Sequence, residues 1–306
     1  MRLLRIGLVV GFLAAALACG SDNESSNSTT SSTTSATTSS TTSSTTFTST
    51  TTTPAPTNTV QPKLVDVKVY FLRDERLVIT HRQVPGPAVL RGALNELLAG
   101  PTAAERTAGL TSTVPTGTTL LDVNLDVNLV GGLATVDLSS DFGTGGESLP
   151  MMARVAQVVF TVTQFDNTDR VQFWMGGEPI ESLGGEGLTL SEPQTRAMID
   201  RTISGSVIID TPAYNATVSN PFTVTGEGDV YEAQFPIEVW ANGEQIGGIA
   251  PVTAGAWGTW GDFEVTITLD APVGPIELIT YDEGGCGTDP ECPPIIKTII
   301  PLTFTG

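Results

Sequence analysis

Catalysis at neutral pH needs a base, a nucleophile or a set of metal ligands, and this chain of 306 residues offers few of each. It has a single histidine, His81, which excludes a zinc site built on paired histidines and leaves one imidazole base. His81 follows Leu77 and Ile79 on one face of an alternating run, so it is expected at the edge of an apolar face with no catalytic role. Two carboxylate pairs, Asp137/Asp141 and Glu178/Glu181, could serve as acid and base at a glycosidic bond, but neither has a motif around it. The row Asp122, Asn124, Asp126 and Asn128 suggests calcium at first sight. Same-face carboxylates diverge along a strand, however, and the Gly and closing Glu of an EF-hand loop are missing. Gly143-Thr144-Gly145-Gly146 lacks the Lys and Ser/Thr that complete a P-loop. No catalytic residue, metal site or cofactor is predicted. Trp257 and Trp260, with Tyr214 and Tyr231 nearby in composition, could form an aromatic platform for glycan stacking, or serve as core aromatics.

The three cysteines divide by position. Cys286 and Cys292 are close together in a Gly- and Pro-rich loop with no further soft ligand near them in sequence. A disulfide is expected there, stabilising by about 2 kcal/mol on the loop-entropy model. Cys19 sits at the end of a targeting segment, 1–18. Arg2 and Arg5 start it, Ile6 to Leu17 is apolar and uncharged, and Ala16-Leu17-Ala18 offers small residues for cleavage. The apolar run is shorter than the about 20 residues that span a bilayer. Ala16-Leu17-Ala18-Cys19 resembles the bacterial lipobox, whose cysteine is acylated, although Ala16 stands where Leu is common. The same residues would suit ordinary secretion, which is the alternative.

Ser25 to Thr53 is nearly all Ser and Thr, without the apolar surface that would offset the entropy of ordering it. Residues 19–62 therefore read as a disordered linker. As a coil, Gly20 to Pro62 would span roughly 35–40 Å and fully stretched about 140 Å, distances suited to lifting folded domains off a membrane.

Charge bears on partners. The chain carries a formal −19, which argues against nucleic acid, whose phosphates need a cationic face. Gln61 to Thr202 holds 17 acids and 11 bases, a net of −6, whereas Ile203 to Gly306 holds 14 acids and only Lys297, a net of −13.

Residues 63–202 show the elements of one domain. Val65–Leu72 and Arg76–Val84 alternate as strands; Leu90, Ala93, Leu94, Leu97 and Leu98 have helical spacing; Gly100-Pro101 stops that helix. Thr102 to Glu105 fits a capping box. Thr118–Leu129 and Leu133–Leu138 read as a strand pair, with Leu121, Val123, Leu125, Val127 and Leu129 on the packed face. Ser148 is expected to cap a second helix, with Met151, Val155, Val158, Val162 and Phe165 facing the core. Val171, Phe173 and Met175 close the set. The order implies an α+β fold with helices on one side of a mixed sheet.

Several of these segments resemble the GerMN domain. They are Ala93 to Thr102, Gly109 to Thr118, Ala134 to Ser139 and Ala156 to Val162, within roughly Lys68 to Ile180. The resemblance implies a module of lipoproteins and of sporulation and germination proteins, related to ring-building envelope modules, with no agreed active site.

In residues 203–306 short β-type runs are separated by Gly, Pro, Asn and Asp, and Phe263, Val265, Ile267 and Leu269 share one face. About seven strands without a helical period predict a Greek-key sandwich. Ile208 to Pro212 and Pro221 to Gly228 resemble the start of the immunoglobulin-like domain that often follows GerMN in bacterial spore-germination lipoproteins, and Trp257 to Phe263 fits its later part. That resemblance implies a surface-adhesion or binding role.

The expected protein is a non-enzymatic, extracytoplasmic lipoprotein. It would be held to the bacterial membrane by lipid on Cys19, bind envelope proteins or peptidoglycan, and self-associate through its GerMN-like domain. A wall hydrolase using an Asp/Glu pair is the first alternative. A secreted solute-binding protein is the second, but it would want two similar lobes around a hinge.

Overall fold

A computed structural model describes residues 62–184, 188–271, 273–284 and 295–306. The leader, Cys19, the Ser/Thr tract and the pair Cys286/Cys292 lie outside the described residues.

Strands β1 (Leu64–Arg73) and β2 (Arg76–Pro85) pair antiparallel in unbroken register. Asp74 and Glu75 at the tip have φ of 49° and 65°, the left-handed pair that a tight two-residue hairpin turn requires, here without glycine. Helix α1 (Val89–Ala99) buries Ala93, Leu94 and Leu97 and stops at Gly100, whose φ of 76° lets its N–H donate to the Leu97 carbonyl. Helix α2 (Ala103–Thr107) opens with the expected capping box. The Thr102 hydroxyl accepts the Glu105 N–H, and the Glu105 carboxylate accepts the Thr102 N–H at 2.7 Å.

Strands β3 (Leu120–Asp126) and β4 (Leu133–Leu138) pair antiparallel. Helix α3 (Ser148–Val162) then crosses over, and β5 (Arg170–Met175) returns parallel to β4 before the short β6 (Glu178–Pro179). The result is a mixed sheet in the order β3-β4-β5-β6, and the β1–β2 hairpin stays a separate ribbon. Two local expectations fail. A register shift between Leu120 and Asp122 turns Leu121 outward, while Leu120, Val123 and Leu125 pack inward; Val127 and Leu129 fall past the strand and are exposed. Ser148 is inside α3; Glu147 holds the cap position and makes no side-chain cap bond.

Helix α3 is buried on all sides from Ala153 to Val162, because a second apolar face lies opposite the predicted stripe. Met151, Val155, Val158 and Val162 pack in the core with Phe71, Leu94, Val136 and Phe173. Arg154, Gln157 and Thr161 are polar residues buried in the same helix. Arg154 donates Nε to the Thr113 carbonyl at 3.0 Å and also bonds the Phe142 carbonyl; Gln157 donates to the Tyr70 carbonyl and accepts from the Thr113 N–H, both at 3.0 Å. Each thereby satisfies loop backbone that would otherwise be buried unpaired.

The short strands β7 (Ser182–Leu183) and β8 (Leu188–Thr189), then helix α4 (Arg201–Ser204), lead to the second domain. Its strands are β9 (Val207–Thr211), β10 (Thr217–Val218), β11 (Phe222–Gly228), β12 (Gln234–Ala241), β13 (Glu244–Thr253), β14 (Gly261–Ile267), β15 (Gly274–Tyr281) and β16 (Lys297–Phe304). They form two sheets, β10-β16-β15-β12-β13 and β14-β11-β9, around a core that includes Val224, Phe235, Phe263, Leu278 and Phe304. This is the expected sandwich, with β10 and β13 added to the strands that the alternation predicts. Gly226 is required where β11 meets β9, since a Cβ there would sit 2.2 Å from the Ile208 carbonyl oxygen.

A third apolar cluster joins the two domains. Tyr70, Leu72 and Leu77 of the hairpin, Ala153, Ala156 and Phe160 of α3, Ile203 of α4 and Ile208 of β9 are all buried in it.

Candidate functional site

The seam between the domains gathers a set of buried and half-buried charges. Glu227 lies on β11, two residues after Thr225 on the face turned away from the sandwich core, where alternation predicts solvent. The first domain covers that face, and the Glu227 side chain is only 5% exposed. Its carboxylate accepts from the Tyr70 phenol at 2.8 and 3.0 Å and from Arg196 at 2.5 Å, and it pairs with the Lys68 ammonium. Arg196 also donates to the Thr163 hydroxyl at 2.7 Å and lies over the Phe160 ring at 4.7 Å.

Burial alone would push the Glu227 carboxyl up; Arg196, Lys68 and the Tyr70 hydroxyl outweigh it and hold the group below its ordinary range. Burial, reinforced by the Glu227 charge, drives the Tyr70 phenol well above its ordinary value. Burial would lower Lys68, but the Glu227 charge and hydrogen bond raise it overall. Every one of these groups is therefore fixed in one protonation state across neutral pH, the opposite of what acid–base catalysis needs.

Two further basic groups pair with carboxylates across the same seam. His81 Nε2 is 2.6 Å from Asp210 Oδ1. Arg201 bridges Asp229 at 3.1 Å and Asp282 at 3.0 Å. His81 is exposed, as its edge position predicts, and its ring is engaged by a carboxylate from the other domain.

The remaining candidates are dispersed. Asp137 accepts the Gly177 N–H at 3.1 Å and so fixes the turn after β5; Asp141 accepts from the Ser139 hydroxyl at 3.0 Å; Glu178 and Glu181 are exposed. Asp122 pairs with Arg91 at 2.6 Å, and Asp126 accepts the Asn128 N–H at 3.0 Å. Among the described residues, no group of three or more His, Cys, Asp or Glu could hold a metal ion.

The aromatics separate into two settings. Trp260 is edge-on to Phe160 at 5.0 Å and belongs to the seam, and Tyr214 lies beneath the Arg73 guanidinium at 3.8 Å. Trp257 is 77% exposed and stands edge-on to Tyr231 at 5.4 Å. Trp257, Glu232 and Ala233 have φ of 57°, 54° and 59°, left-handed states that non-glycine residues hold only where surrounding structure imposes them. Tyr231 and Glu232 line a groove of about 450 Å³ with Pro236, Pro251, Tyr281 and Asp282. Burial and then a 2.8 Å hydrogen bond to Glu238 push the Tyr281 phenol up to about 12, so it remains a neutral hydrogen-bonding group.

Fold and site together define a two-domain module, an α+β domain locked to an immunoglobulin-like sandwich. Residues 68–181 match the Germane family, sporulation and spore germination, and residues 206–285 match Gmad2, the immunoglobulin-like domain of bacterial spore germination. The chain thus carries a GerMN-like domain followed by an immunoglobulin-like domain of the spore-germination type. The first GerMN domain of the sporulation protein GerM from Bacillus subtilis is 24% identical, with a TM-score of 0.36, over 43% of this chain and 98% of that one. The tandem GerMN domains of the same protein are 15% identical, with a TM-score of 0.37, over 67% of this chain and 62% of that one. No curated protein matches this chain. Among the described residues no helix is long and apolar enough to cross a membrane.

Proposed function

We propose that this protein is a non-enzymatic binding scaffold of the bacterial cell envelope, working outside the cytoplasm in a sporulation- or germination-type setting. Lipid on Cys19 holds it to the membrane, and residues 19–62 let the folded part reach into the wall. The observation that carries this reading is the Glu227 junction. It commits the titratable groups buried at the seam to holding two domains together as one body, leaving no nucleophile–base set there to work on a substrate. The surface left for ligand is the exposed pair Trp257 and Tyr231, whose faces suit the apolar face of a sugar ring, with Glu232 beside them to accept its hydroxyls. The ligand is therefore cell-wall glycan. Self-association uses the free edge of β3, where Leu121 is exposed.

The test is co-sedimentation of the full chain with purified peptidoglycan. Binding that falls with Trp257→Ala, while Trp260→Phe binds as the parent does, supports the reading. Binding unchanged in Trp257→Ala overturns the glycan assignment.

A further inference from the structure

A second groove, of about 520 Å³, opens at the seam and has the opposite electrostatic character to the rest of the protein. Arg73 and Arg76 at the base of the hairpin tip, Tyr214, and Lys297, Ile299 and Pro301 of β16 line it. Lys297 is the only basic residue after Thr202 in a chain of net charge −19. Asp74 and Glu277 also line the groove, yet among the described residues none of the three cations forms an ion pair.

Neutral groups position the cations instead. Arg73 lies over the Tyr214 ring at 3.8 Å and donates Nη2 to the Ala108 carbonyl at 2.9 Å. Its Nε is buried with no hydrogen-bond partner among the described residues. Arg76 donates Nη1 to the Lys297 carbonyl at 2.7 Å, which ties the hairpin of the first domain to β16 of the second. The Lys297 ammonium sits 5.0 Å from the centre of the Tyr281 ring. The two arginines flank Asp74 and Glu75, whose left-handed backbone fixes the angle at which they leave the hairpin. Three cations held in place by neutral groups, with no ion pair among the described residues, form a preorganised receptor for carboxylates.

We propose that this groove binds an extended acidic segment of a partner protein, its carboxylates on Arg73, Arg76 and Lys297 and an apolar side chain against Ile299 and Pro301. The apolar lining is what favours polypeptide. Ile299 is 47% exposed, and Val78 lies half-buried beside it in the wall; a uniformly charged sugar–phosphate chain would leave both uncovered. Such a chain would also run onto a domain of net −13, which repels a long polyanion but tolerates a short acidic stretch. Because the lining residues come from both domains, the groove exists only while the seam is closed.

The experiment is selection from a random peptide library on the immobilised full chain, followed by affinity measurement of the enriched pool. Enrichment of Asp and Glu interspersed with apolar residues is expected, with affinity falling about tenfold or more in Lys297→Glu. Lys297 is exposed and its ammonium makes no hydrogen bond among the described residues, so this variant is expected to retain the fold; Arg73→Gln, which keeps a side chain over Tyr214, should weaken binding in the same direction. Enrichment of non-acidic peptides, no enrichment at all, or equal affinity in Lys297→Glu would overturn the proposal. Displacement of the pool by inorganic polyphosphate as readily as by free peptide would overturn it too, assigning the groove to phosphate polymers.

Discussion

Tyr70 of the first domain donates its phenolic hydrogen to both carboxylate oxygens of Glu227 in the second, at 2.8 and 3.0 Å, inside a seam that also holds Arg196 and Lys68. The carboxylate is the element both cations depend on. Glu227→Gln leaves Arg196 without its counter-charge and Lys68 with only the exposed Asp262 at 3.4 Å, and should destabilise by about 3 kcal/mol in urea unfolding. Tyr70→Phe removes one donor and keeps the ion pairs, so a smaller loss, about 1–2 kcal/mol, is expected. Equal losses would mean that the phenol, not the charge, organises the junction.

The same groups set the pH response. The Glu227 pKa is depressed in the folded protein, so its contribution is present above the ordinary carboxylate value of 4.5 and is lost as pH falls through the folded value. Lys68 and Tyr70 are raised, so their contributions are present below 10.5 and 10.0 respectively and are lost as pH rises through the folded values. Stability should therefore hold between about pH 5 and 10 and fall on either side. In Glu227→Gln the acid-side fall should become shallower, as followed by thermal melts across pH.

Gly226 offers a purely steric test. In Gly226→Ala the new methyl would meet the Ile208 carbonyl and the Phe263 ring, the latter at 2.7 Å. The sheet must shift at the point where β9 enters the seam, and a loss of about 2–3 kcal/mol is expected from the denaturation midpoint. An unchanged midpoint would show that β9 can move freely against β11.

Much of the fold is legible in the sequence because it rests on local signals. The β1–β2 alternation, the Gly100-Pro101 stop and the Thr102–Glu105 capping box each specify their element within a few residues. β13 carries no such signal: Gly247, Gly248 and Pro251 interrupt it, and two register shifts against β12 break its alternation. The bulge that turns Leu121 outward is equally silent, since an extra residue leaves the hydrophobic pattern looking regular. The seam is the least legible part. Lys68 and Tyr70 of β1 meet Arg196 and Glu227 from far along the chain, and Glu227 occupies a face that alternation assigns to water. Its one trace is a lone carboxylate between Gly226 and Gly228 in an otherwise uncharged strand.

The anchor is tested by phase partitioning. Full-length protein from cells should enter the detergent phase, and Cys19→Ala should remain aqueous. Equal partitioning of the two would favour plain secretion. Peptide mapping of the same preparation without reductant should find Cys286 linked to Cys292.

The central claim is that the protein binds the envelope and performs no chemistry on it, and the most direct measurement follows both properties in one incubation with purified peptidoglycan. The full chain should co-sediment with the wall and release no soluble fragments, and Trp257→Ala, at an exposed site, should bind about tenfold more weakly with unchanged melting. Fragment release that disappears on Asp137→Asn or Glu178→Gln would contradict the account and make the protein a wall hydrolase.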